Sequence, residues 1–297
     1  MKILIIRGGG LDEILLATPL IRCIKKELHG SEIHFLLSNE FPHLLEGNPY
    51  ITTIHNDTDL TPERIEEEKF DVVVDLDHFT LTRDGVVANP KVSFVERLLR
   101  LVGMKQSTPL IDKYCKVVTQ MNVYSDGEGL NYYIPKAGEV PIGDIPASHH
   151  GGYIVLAVSG SASKIALAKG KEFCSKINHP VILMGKRAEF SLGEELRRGL
   201  AEKVYNACGK FSFTEEADMI RRAKLVVGVY SELIQFAAAF NVPSIVVGKM
   251  PEGLKPYYGE KIVQKQPNIF EHINRQPAKM DVDAIIKKVY ERIRKKS

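Results

Sequence analysis

Tryptophan is absent from the 297 residues, and cysteine is scarce: Cys23, Cys115, Cys174 and Cys208 stand apart, without paired spacing. That scatter excludes a disulfide framework and a zinc site and leaves buried free thiols as the expectation. No apolar run approaches the length needed to cross a bilayer. The opening "MKILIIRGGG" is too short for a secretory leader and reads as a strand. A net charge of +3 gives no general pull toward nucleic acid. What is present, 44% apolar and 26% charged residues without a low-complexity tract, is the composition of a soluble globular chain. A cytoplasmic protein is expected, long for one core and comfortable for two. Basic residues do gather in "IIKKVYERIRKKS". There Ile285, Ile286, Val289, Tyr290 and Ile293 share one face, which predicts a docked helix over 281–296. Its cationic rim suits solvent, or peripheral contact with anionic lipid at the inner membrane surface.

Strand and helix signals alternate along most of the chain. "KILII", "EIHFLL", "ITTIH" and "FDVVVDL" read as strands, with helices after the first, second and third. This is the repeat of a parallel sheet covered on both faces. "SFVERLLRLVGM" and "LIDKYCKVVTQM" read as helices. The stretch 137–152 is rich in proline, glycine and polar residues and lacks periodicity, which marks a linker. Beyond it the alternation restarts with strands "YIVLAVS", "PVILMG", "VYNACG", "KLVVGV" and "PSIVVG", separated by helical segments and closed by the last helix. The expected architecture is α/β, with a Rossmann-like domain over 1–136, a linker over 137–152 and a second Rossmann-like domain over 153–297. In such sheets ligands sit beyond the carboxyl ends of the strands, here with a cleft between the domains.

The first turn, "RGGGLDEILLATPLIR", is the most informative stretch. Gly8 and Gly10 have the mutual spacing of a dinucleotide fingerprint, but its third glycine position holds Glu13. A carboxylate beside a pyrophosphate would repel it. Asp12 and Glu13 fall in the first turn of the helix that follows, where the dipole favours negative charge. Two readings stand: an acidic helix start that serves only the fold, or a turn that presents a carboxylate.

"MKILIIR", "LLATPLIRCIKKE", "EIHFLLS", "LLEGNPYI" and "FDVVVDLD" resemble the amino-terminal domain of glycosyltransferase family 9, the ADP-heptose:lipopolysaccharide heptosyltransferases and their relatives. "GLNYYIP", "VILMG", "NACGKFS", "AKLVVG" and "FAAAFNVPSIVVG" resemble its nucleotide-binding domain. The resemblance implies a GT-B architecture, an acceptor on the first domain, and a nucleotide-diphosphate sugar on the second. It calls for no metal and no cofactor. Where the family has an aspartate that deprotonates the acceptor hydroxyl, this chain has Glu13, preceded by Asp12; a glutamate carboxylate sits about one methylene further out. Gly10, His78 and Arg83 are the implied acceptor-side residues, with Asp77 and His78 at the usual polar pair. On the donor side the resemblance implies Ser159, Gly160, Ser161, Lys164, Gly185, Gly209, Ser231 and Glu232. Lys164 would neutralise the diphosphate as charge builds on the leaving nucleotide. Ser231 would cap a helix whose amides hold phosphate. The family's donor turn carries an aspartate, a glycine and a histidine that "VYSELIQ" lacks, and Glu232 adds negative charge there.

Two functions follow from the resemblance, and a third, a binding module or enzyme for a different nucleotide-linked ligand in the same cleft, stands beside them. One is an inverting, metal-independent glycosyltransferase, moving a sugar, heptose by resemblance, to lipopolysaccharide or a related glycan. The other is a GT-B homologue that keeps the fold, has lost catalysis and acts as a binding or scaffold protein. Fold alone decides neither, because function belongs to the site.

Overall fold

The computed structural model describes the chain apart from residues 39, 42, 57, 59, 61, 84–85, 89–108, 159–163, 277–278 and 295–297, and apart from the side chains of 62–63, 86–88 and 164–166. The helix expected over "SFVERLLRLVGM" lies outside the described residues. Two compact units result: Met1–Tyr133 with Glu252–Tyr257, and Ile134–Pro251 with Tyr258–Ser297.

The first unit begins with β1 (Lys2–Arg7), whose Ile3, Leu4 and Ile5 are fully buried. The helical stretch after the glycines is two helices, α1 (Leu11–Leu16) and α2 (Thr18–Glu27), with Pro19 in the first turn of the second. Proline fits there because its missing N–H would have had no helical partner. Next come β2 (Glu32–Leu37), β3 (Thr53–Asn56), α3 (Pro62–Glu67), β4 (Val72–Asp75), β5 (Thr80–Arg83), β6 (Val86–Ala88) and α4 (Leu110–Val118). The sheet order is β3-β2-β1-β4-β5-β6. Strands β1 to β4 pair in parallel, as expected, while β4–β5 and β5–β6 are antiparallel. Arg83 faces Val86 in the antiparallel ladder of β5 and β6. The helix expected after the second strand is absent among the described residues. Those of 40–50 form turns, in a stretch punctuated by Pro42, Gly47 and Pro49.

The second unit runs β7 (Ile154–Ala157), α5 (Lys164–Lys176), β8 (Val181–Met184), α6 (Phe190–Arg197), β9 (Val204–Asn206), α7 (Phe213–Arg222), β10 (Leu225–Gly228), α8 (Glu232–Ala239), β11 (Ser244–Val247), α9 (Glu260–Lys265), β12 (Phe270–Ile273) and α10 (Val282–Arg294). All of its strands pair in parallel, in the order β12-β11-β10-β7-β8-β9. Strands β7, β8 and β11 are buried at every position, which requires helices on both faces. Ile285 and Val289 of α10 pack into that core, so the last helix is docked through its apolar face. The stretch 137–152 lies within the second unit as three single 3-10 turns. It is tied to α7, where fully buried Asp218 accepts from Val140 N–H at 2.9 Å and pairs with Arg221 and Arg222.

In the first unit, Arg22 of α2 donates from Nε and Nη2 to the two oxygens of Asp126 at 2.8 and 2.7 Å, anchoring the loop before residue 133. The returning segment joins the same unit through Leu110 N–H to Gly253 O and Leu130 N–H to Tyr257 O, both 3.1 Å. The four cysteines are free, with Cys23, Cys174 and Cys208 buried. Among the described residues no helix is long and apolar enough to cross a membrane.

Candidate functional site

In an open α/β sheet the ligand crevice lies beyond the carboxyl ends of the strands, where successive connections leave to opposite sides. In the first unit that point is between β1 and β4, and it holds a charged cluster. Arg7 ends β1 and is only 8% exposed. Its Nη2 lies 2.6 Å from Glu13 Oε2, and its Nη1 donates to Asp77 Oδ1. Gly10 N–H donates to the same Glu13 Oε2 at 3.0 Å, and Gly8 N–H donates to Asp77 Oδ2 at 3.1 Å. Burial opposes the Arg7 charge, but the neighbouring carboxylates of Glu13 and Asp77 hold its pKa above the ordinary guanidinium value. Buried Tyr114 lies under the guanidinium, 5.8 Å from ring centre to Cζ, and burial pushes its phenol strongly upward, so it stays neutral.

Glu13 therefore does two things at once. As the third residue of α1 it reaches back to cap the helix, and it neutralises Arg7. Both contacts use Oε2, which leaves Oε1 on a side chain 31% exposed. Gly9 makes the pairing possible, because a Cβ there would stand 1.9 Å from Glu13 Oε2. Asp12 accepts from Glu13 N–H at 3.0 Å.

His78 belongs to the same edge. Asp75 Oδ2 is 2.7 Å from its Nδ1, and that hydrogen bond raises the imidazole pKa. Arg83 is not brought there. In the antiparallel ladder it faces Val72, at the amino end of β4, while Thr80 faces Asp75 at the carboxyl end. Three residues of strand, about 10 Å, separate it from the cluster. Arg7 and Tyr114 are the members that sequence reasoning missed. A lone arginine closing an aliphatic strand was the available signal for the first; Tyr114 is 101 residues from its partner Glu13 and gave none.

The second unit's corresponding point is between β7 and β10. Gly228 ends β10 with φ +144, and a Cβ there would meet the Ala157 carbonyl oxygen at 2.2 Å, so this close approach needs glycine. Ser231 takes the N-cap position of α8, as expected, but makes no side-chain cap bond; its Oγ is buried without a hydrogen-bond partner among the described residues. Glu232 lies 3.1 Å from Lys186 Nζ. Fully buried Gln235 donates from Nε2 to Tyr230 Oη at 3.2 Å. Nearby, burial pushes the Glu216 carboxyl up to about 8, with Glu232 adding to the rise. Gly185 and Gly209 sit at the ends of β8 and β9, joined by Gly209 N–H to Gly185 O at 2.9 Å. Ser159, Gly160 and Ser161 lie outside the described residues, and Lys164 is placed only as the first residue of α5. Among the described residues no group of histidines, cysteines and carboxylates could hold a metal ion.

Residues 172–277 match the sequence model of glycosyltransferase family 9 (heptosyltransferase). The resemblance to glycosyltransferase family 9 holds. The match runs from the last residues of α5 through β12, so it includes β8 to β12 and leaves out β7 and Lys164. The family 9 glycosyl transferase of Veillonella parvula has the same fold, with TM-score 0.71, 15% identity, and 99% of this chain and 97% of that one covered. The E. coli ADP-heptose lps heptosyltransferase II is similar at TM-score 0.65 and 14% identity, covering 100% and 99% of the two chains. The E. coli heptosyltransferase WaaC, solved with ADP, is similar at TM-score 0.67 and 14% identity, covering 98% and 100%. The fold is thus GT-B. No curated protein matches the sequence.

Proposed function

We propose that this protein is an inverting, metal-independent glycosyltransferase that takes a sugar from a nucleotide-diphosphate donor and places it on a glycan acceptor. The observation that carries the reading is the second unit's edge. A buried Ser231 Oγ with no hydrogen-bond partner among the described residues stands beside the amino end of α8, within the segment that matches family 9. A hydroxyl and helix amides so arranged suit a phosphate oxygen. A solved relative, WaaC, carries ADP, and another structure of it carries an ADP-linked fluoro-heptose. Heptose and a lipopolysaccharide acceptor are the specific donor sugar and acceptor proposed.

In the proposed reaction the acceptor hydroxyl attacks the anomeric carbon, forming the new C–O bond as the bond to the nucleotide diphosphate breaks. The hydroxyl proton passes to a carboxylate, for which Glu13 Oε1 is the candidate, since Oε2 is held by Arg7 and Gly10. The diphosphate leaves with the bonding pair, and Lys164 is proposed to offset its charge. His78 and Gly10 are proposed to flank the acceptor, with Asp12 second to Glu13 as base.

A second reading, a binding protein without transfer activity, is favoured by the donor turn itself, where Tyr230, Glu232 and Gln235 pair with protein groups. Thermal shift with ADP-linked and other nucleotide sugars, followed by product detection with a lipid-linked glycan, separates the two. A shift lost in Lys164→Ala together with turnover lost in Glu13→Gln supports transfer. A shift without turnover supports the binding protein, and no shift with any nucleotide refutes both donor-site readings.

A further inference from the structure

We infer that Lys186 and Glu232 form a displaceable latch across the donor edge, in which Lys186 is the cation that a nucleoside diphosphate takes over from Glu232. The inference rests on the donor-site reading above and adds two residues to it.

The geometry is set by strand order. Lys186 follows the end of β8, and Glu232 opens α8 just after β10; β7 lies between these strands. Neighbouring strands are about 4.8 Å apart, so the side chains join across roughly 10 Å of sheet edge, over the carboxyl end of β7. That end borders the crevice between β7 and β10. The ion pair therefore lies where a ligand would enter.

Its exposure makes it exchangeable. The Lys186 side chain is 76% exposed and that of Glu232 36%. Pairs this open hold weakly, because water competes for both ends. A diphosphate carries more charge than one carboxylate and more acceptor oxygens, so it competes well for the ammonium. The surroundings favour the exchange. Glu216, half-buried near the pair, has its carboxyl pushed up first by burial and then by Glu232, which weakens its negative charge against an incoming anion. Ser231, adjacent to Glu232, has a buried Oγ without a hydrogen-bond partner among the described residues, which the proposal assigns to the same phosphate. With Glu232 holding the ammonium, the edge is balanced and closed to anions. Once Glu232 is displaced, it presents a free cation. Ligands lacking a charge-dense diphosphate gain nothing from the exchange, so the pair selects for that group.

The test is calorimetric titration of ADP into the full chain and into Glu232→Gln, Lys186→Met and the double variant, with circular dichroism confirming fold. Glu232→Gln should bind ADP about three- to tenfold more tightly than wild type, the scale set by an exposed ion pair. Lys186→Met should bind at least about tenfold more weakly, and the double variant should recover none of the gain. Equal or weaker ADP binding by Glu232→Gln, or unchanged binding by Lys186→Met, overturns the latch while leaving the donor site standing. Absence of ADP binding by wild type and by Glu232→Gln alike overturns the donor-site reading and the latch with it.

Discussion

Replacing Arg7 by methionine tests whether the first unit's edge is organised around one buried cation. The guanidinium makes two charge-assisted contacts, to Glu13 at 2.6 Å and to Asp77, on a side chain only 10% exposed. Hydrogen bonds to charged groups contribute about 1.5–3 kcal/mol each. Both carboxylates are 31% exposed and recover part of their hydration, so the sum is discounted to about 3 kcal/mol. Gly10 and Gly8 still hold the two carboxylates near each other, so repulsion replaces attraction when the cation goes. For a unit of this size, about 3 kcal/mol corresponds to a fall in Tm of about 10 °C. Thermal unfolding followed by circular dichroism reads the change. The triple variant Arg7→Met, Glu13→Gln, Asp77→Asn should regain more than half of the loss, because it removes the stranded charges. A loss below about 1 kcal/mol, or a triple variant no better than the single one, would refute the reasoning.

The remaining predictions concern buried charge and close packing. Burial alone would raise the Asp126 carboxyl, but hydrogen bonds from Arg22 and Lys26 outweigh it and hold the group well below the usual carboxylate range. A depressed folded pKa stabilises above the unfolded value of about 3.9 and is lost as pH falls below it. Asp126→Asn should therefore cost about 2–3 kcal/mol at pH 7 and much less at pH 2, read by urea unfolding at both. Glu216 works in the opposite sense. Its folded carboxyl is pushed up to about 8, so the folded state retains a proton that the unfolded chain releases near about 4.3. Stability is lost as pH rises between those values; Glu216→Gln should raise Tm at pH 8.5 and leave it unchanged at pH 4. Gly228→Ala forces a Cβ to 2.2 Å from a carbonyl oxygen at positive φ, and should cost about 3 kcal/mol or prevent folding of the second unit. A soluble Gly228→Ala protein with wild-type Tm would contradict the packing described for β7 and β10.

The parallel ladders were legible because strands buried on both faces read as near-continuous aliphatic runs. "KILII", "VILM" and "SIVV" needed no partner to be recognised. What escaped was structure set by short or half-exposed segments. The β5–β6 hairpin hides in "TLTRDGVVA", whose Asp-Gly was an available turn signal. Strand β12, "FEHI", is partly exposed at every position, as an edge strand can be, and carries no aliphatic run to announce it. The stretch 137–152 looks like a linker because it lacks periodicity, yet buried Asp218 draws it onto α7, a contact 78 residues away in sequence. The site divides in the same way. A carboxylate at Glu13 and a serine at Ser231 could be read from their places after strands β1 and β10. The ion pairs around them could not. The Arg7 pairing depends on a side chain turning back over Gly9, and the Lys186–Glu232 pair depends on which strand lies between β8 and β10.

On the proposed function, the second unit holds a nucleotide diphosphate at the carboxyl edge of its sheet. The most direct measurement is a crystal structure of the full chain with ADP. The expected result is a diphosphate at the ends of β7, β8 and β10, with Ser231 Oγ within hydrogen-bond distance of a phosphate oxygen and Lys186 turned from Glu232 to the phosphate. ADP bound elsewhere on the chain, or at that edge with its phosphates directed away from Ser231, would contradict it.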